Sequence, residues 1–87
     1  MSIPKVSIRQ IKAARALLGW SQDDLAVHSG ISVPTIKRLE ATDGEIGGRV
    51  ETRKALVTTL QEAGIKFLSD NDGGPGLRMA KRQRRSR

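Results

Sequence analysis

Residues Gln22–Glu40 read QDDLAVHSGISVPTIKRLE, and this stretch decides the fold. It contains two short helical segments joined at Gly30. Ser21 precedes the first and Ser32 the second, each placed to cap the backbone amides of the turn that follows. Asp24 lies three residues after Ser21 and completes a capping box. Gly30 supplies the positive φ that a tight interhelical turn requires. Ala26 is small enough for close helix packing, and Leu25, Ile31, Ile36 and Leu39 provide the buried positions. Pro34 falls in the first turn of the second segment, where its missing N–H costs nothing. Two short helices related in this way form a helix-turn-helix, whose second helix enters the major groove of DNA.

The same punctuation extends outward. Upstream, Ser7 with Gln10 fits a capping box, Val6 with Ile11 fits a hydrophobic staple, and Ile11, Ala14 and Leu18 recur at helical spacing up to Gly19. Trp20 is placed as a staple to Leu25. Downstream, residues 41–48 (ATDGEIGG) read as a loop, and a fourth helix is expected from Val50 to Ala63 with Ala55, Leu56 and Leu60 inside and Gly64 as its stop. Beyond Gly64 the pattern shortens. Residues 65–68 and 77–80 read as two strands of a β-hairpin around the loop 69–76. A lone hairpin is marginal in water and needs cover.

The chain has 87 residues with 16 Lys/Arg and nine Asp/Glu, net +7. Six of the basic residues fall in 78–87, so residues 1–77 carry only net +1. The excess is a basic tail, and 81–87 (KRQRRSR) are expected to be disordered. The absence of cysteine excludes disulfides and thiolate metal sites, and a single histidine excludes an imidazole cluster. His28 is expected to be solvated and Trp20 to sit at the core edge. With only Trp20 and Phe67 as aromatics, a base-stacking platform is not expected. No nucleophile–base pair is present, so the reading is not an enzyme, with no metal or cofactor. No membrane-length apolar run or signal peptide is read, and the expected location is cytoplasmic, at the nucleoid when bound to DNA.

Gln22-x-x-Leu25-Ala26, Gly30-Ile31-Ser32, Thr35-Ile36 and Leu39-Glu40, extended by Gly19-Trp20-Ser21 and by Arg15, resemble the helix-turn-helix domains of lambda-type repressors, Cro proteins and xenobiotic-response-element-type regulators. The resemblance spans about Ile8–Ala63. It implies a mostly α, compact four-helix domain over 1–64. To this the sequence adds a C-terminal hairpin over 65–80 and the tail. By resemblance the positions of Val33, Pro34 and Arg38 read bases, flanked by Ser32 and Lys37. Gln22 is placed against phosphate, and Arg15 pairs with Glu40. Arg9, Lys12 and Arg15 on the first helix, Thr35 on the third, and Arg49, Arg53 and Lys54 at the fourth are candidate backbone contacts.

The expected function is a sequence-specific regulator of transcription, a repressor binding double-stranded DNA as a homodimer and controlling its own promoter. Ile65, Phe67, Leu77 and Met79 are the expected dimer interface, because the hairpin leaves them uncovered. The alternative is an antitoxin that uses this fold to bind both DNA and a toxin. An anti-regulator is another candidate protein partner.

Overall fold

The computed structural model describes residues 6–42, 49–68 and 75–79. Four helices run α1 (Ile8–Leu18), α2 (Gln22–Ser29), α3 (Val33–Glu40) and α4 (Val50–Glu62), followed by β1 (Ile65–Leu68) and β2 (Gly76–Met79). The chain is mostly helical, as expected. Ser7 Oγ accepts from the Gln10 amide while Gln10 Oε1 accepts from the Ser7 amide, and Ser21 and Asp24 make the same reciprocal pair. The two hydrogen bonds from Ser21 hold the Asp24 carboxyl below its ordinary pKa. Ser32 caps α3, and Pro34 occupies its first turn. At Gly30 the backbone takes φ +78°, so α2 ends and α3 begins within three residues. α4 starts at Arg49 without a side-chain cap. Its formation rests on the buried Leu56, Val57 and Leu60.

One core holds the elements together. Val6, Ile8, Ile11 and Ala14 meet Leu25 and Ile36, and α4 adds Leu56, Val57 and Leu60. Ile65 and Phe67 belong to the same cluster. Their burial bears on the reason for expecting these two positions at a dimer interface. Ile65 is 3% exposed and Phe67 9% exposed within a single chain, so neither needs a partner for cover. An aspartate at Phe67 would place a charge in the domain's own core and report on folding, not on association. Leu77 is half-buried against this core, and Met79 stays 38% exposed.

The strands pair antiparallel, Ile65 with Met79 through Leu68 with Gly76. β2 begins one residue earlier than expected. Pro75 has no N–H to donate to a ladder, so Gly76 is the first residue after it able to pair in full. The rest of the expected loop (69–74), Ala80, the 81–87 tail and residues 43–48 lie outside the described residues.

Gln10 ties the hairpin to α1. Its Nε2 donates to Gly76 O (2.8 Å) and Leu68 O (3.3 Å), while its Oε1 serves the capping box. The side chain is 6% exposed, so removing it leaves those carbonyls short of a donor. Gln10→Ala is expected to cost about 1–3 kcal/mol. Hydrogen exchange should show weakened protection in residues 65–68 and 76–79 before the helices. Uniform weakening across the domain would contradict a local tie.

Candidate nucleic-acid interface

α3 presents its exposed side through Ser32, Pro34, Lys37 and Arg38, while Ile36 and Glu40 are buried. The helical period forces this division, since 36 and 40 share one face and 34, 37 and 38 another. Val33, Thr35 and Leu39 are half-buried. Neither Lys37 nor Arg38 has a hydrogen-bond or ion-pair partner among the described residues. Ser32 is committed locally. Its Oγ accepts from the Thr35 amide at 3.4 Å and donates to Thr35 Oγ1 at 3.0 Å. Thr35 therefore keeps its own hydroxyl hydrogen for an outside acceptor.

Behind α3 lies a clamp that fixes its angle to the rest of the domain. Arg15 on α1 donates Nε and Nη2 to the two carboxylate oxygens of Glu40, both at 2.8 Å. Its Nη1 donates to Trp20 O at 2.9 Å. Gln22 Nε2 donates to Glu40 Oε1 at 2.9 Å, which brings α2 into the same network. Burial works against the Glu40 carboxylate. The hydrogen bonds from Arg15 and Gln22, with the charges of Arg15 and Lys12, more than offset it and hold its pKa below the ordinary value. The hydrogen bond to Glu40 outweighs burial for Arg15 and raises its pKa further. The forked geometry is the bidentate pairing of an arginine with a carboxylate.

The expected backbone contacts fall in different places. Gln22 is half-buried, and one N–H of its amide is spent on Glu40, leaving the other for an outside acceptor. Arg15 has three of its five donors engaged. Lys12 is exposed and within electrostatic reach of Glu40, on the α1 side that meets α3. Arg9 instead lines an open apolar groove of about 760 Å³ between α1 and β2, together with Ala13, Ala16, Leu17 and Leu77. Arg9 thus borders the groove, while Lys12 and Arg15 stand toward Glu40. Arg49 and Lys54 are exposed and Arg53 half-buried at the start of α4.

The structure adds a contact that no spacing in the sequence signals. Trp20 and His28 stack with ring centroids 4.3 Å apart and planes 8° from parallel, and line a hollow with Thr59, Glu62 and Ala63 at the end of α4. Eight residues separate the two rings, beyond the reach of any capping or staple pattern. Among the described residues there is no group of acids and histidines able to hold a metal ion, and no helix long and apolar enough to cross a membrane.

The geometry agrees with a comparison against known families. Residues 11–48 match the family model described as helix-turn-helix, the type found in lambda repressor and Cro. This segment is a lambda-repressor/Cro-like helix-turn-helix. The match runs from the second turn of α1, through the α2–α3 pair, to residue 48, short of α4. A comparison with curated proteins returns no match. The helix-turn-helix is a DNA-binding regulatory domain, so double-stranded DNA is the partner this family supports.

Proposed function

We propose that the chain is a transcriptional repressor that binds an inverted-repeat operator as a homodimer. The observation that carries the DNA-reading part is the exposed row of Pro34, Lys37 and Arg38 on a helix anchored by the Arg15–Glu40–Gln22 network. B-DNA's major groove admits one such helix, and base edges there are read by side chains near its N-terminus. Arg38 reads guanine and Pro34 offers apolar contact to thymine. Lys12, Gln22, Thr35 and Arg49 hold phosphates on either side. Selection of bound duplexes from a randomised library tests the reading directly. A recovered consensus supports it, and footprinting on the chain's own upstream DNA tests autoregulation. Retention of duplexes without any sequence preference would overturn it.

Dimerisation supplies the specificity that one short helix lacks. With Ile65 and Phe67 covered internally, the exposed apolar residues Leu17 and Met79 near the hairpin are the surface through which two copies join. A consensus of two inverted half-sites about one helical turn apart, or a multiple of it, is expected. Light scattering should give twice the chain mass for the wild type and the chain mass for Leu17→Asp/Met79→Asp, with circular dichroism unchanged. A folded variant that stays dimeric moves the interface elsewhere. A protein that copurifies in fixed ratio and competes with self-association would favour the antitoxin reading instead.

A further inference from the structure

The hairpin carries two cations that the reading helix does not use. Ile65 and Phe67 point into the core, so the period of two puts Lys66 on the opposite face. In the antiparallel register Lys66 stands directly across from Arg78, and both are exposed. Side chains paired in this way have Cβ atoms about 4.5–5.5 Å apart, and like charges there oppose pairing. Neither residue has an ion-pair partner among the described residues. β1 and β2 contain no acidic residue. Between the two strands the sequence carries Asp70 and Asp72. After Met79 the sequence adds Lys81, Arg82, Arg84, Arg85 and Arg87.

A two-stranded hairpin that keeps two like charges face to face gives up stability, unless an anion lies across them. The location narrows the choice of anion. β2 packs on α1 and β1 on α4, whereas α3 packs on α1 and α2. The cation pair is therefore carried by different elements from the base-reading row.

We propose that Lys66 and Arg78 form a second, sequence-independent contact for the phosphate backbone of double-stranded DNA, separate from the surface of α3. The inference rests on the DNA-binding reading above. It adds a site that neutralises phosphates without reading bases, continuous in sequence with the basic tail. A chain with both surfaces holds its operator through α3 and gains affinity for flanking or neighbouring duplex through the hairpin.

The test uses the full chain and a labelled mixed-sequence duplex several helical turns long, titrated between about 50 and 200 mM salt. Lys66→Gln/Arg78→Gln should weaken binding about tenfold or more at the low-salt end and flatten the log–log salt dependence by about 1.8, or 0.9 for each phosphate no longer neutralised. Lys66→Arg, which keeps the charge, should keep the slope. The consensus selected from a randomised library should be the same for the double variant and the wild type, since α3 is untouched. The melting temperature should be equal or higher, because a like-charge pair has been relieved.

An unchanged slope would overturn the proposal. It would leave Lys66 and Arg78 as charges that keep an exposed strand edge from pairing with another chain, and the double variant would then self-associate more. A changed consensus would overturn the claim of a separate surface. If the wild type selects a consensus and only the double-variant slope fails to move, the hairpin site falls and the α3 reading stands. If the wild type binds no duplex, both fall.

Discussion

Glu40→Ala is expected to lower the unfolding free energy by about 3 kcal/mol, the largest effect of any single polar substitution in the domain. The carboxylate accepts from Arg15 twice and from Gln22 once, and its side chain is 5% exposed. Truncation leaves the Arg15 guanidinium, itself only 19% exposed, without its counter-charge. That uncompensated cation carries the cost, more than the net worth of the pair. The residual exposure of Arg15 keeps the figure at the lower end of the buried-pair range. For a domain of this size the melting temperature should fall by about 12–24 °C. Replacing both partners by apolar residues, Arg15→Met with Glu40→Leu, should recover much of the loss, because no charge is stranded. A Glu40→Ala melting shift within a few degrees would mean that water solvates Arg15 and that the clamp does little.

The same group sets the acid limb of stability. The folded-state pKa of Glu40 lies below its ordinary value of about 4.5. Its contribution is therefore fully present above the unfolded pKa and is lost as pH falls through the folded one. Wild-type stability should decline below about pH 4.5, and Glu40→Gln should decline less steeply over that window. Asp24, whose pKa is also lowered, adds a slope of the same sign that both proteins share.

What is legible in the sequence is what is local. Ser7, Ser21 and Ser32 each satisfy an amide three residues on, so their spacing alone marks three helix starts. Gly19 and Gly30 mark two ends by the backbone angle each adopts. The helix-turn-helix is built from such signals and is readable for that reason. Gln10 reads only as half of a capping box, since its other partners lie 58 and 66 residues away. Val57 escapes the sequence reading because a single stripe of Ala55, Leu56 and Leu60 suffices for a surface helix. α4 is covered by α1 and α2 as well as by β1, so its buried arc is wider. Of the hairpin's apolar residues, Ile65 and Phe67 turn into the core while Met79 stays exposed. Whether the face of Ile65 and Phe67 meets this chain or a second one depends on where α1 and α4 stand, and no residue pattern within 65–80 encodes it.

Arg38→Ala should cost about 1–3 kcal/mol at the selected site and relax preference at one base pair in each half-site. Arg38 is exposed on α3 without a partner among the described residues, so its guanidinium enters the groove without first breaking an interaction. Its planar fork can donate to guanine O6 and N7 together. Lys37, its neighbour, is a point charge on a flexible stem and carries less directional information. Arg38→Lys separates the two roles. It keeps the charge, so affinity for mixed-sequence duplex and the salt slope should stay near wild type, while discrimination at that base pair is lost because a lysine cannot reproduce the fork. Val33 is half-buried, which leaves Pro34 as the more available apolar contact and makes the base pair beside it the expected site of any thymine preference. Ranking a randomised duplex library with wild type, Arg38→Ala and Arg38→Lys decides the assignment. Three identical rankings would remove Arg38 from base reading and leave it a phosphate contact, and the salt slope of Arg38→Ala would then fall by about 0.9.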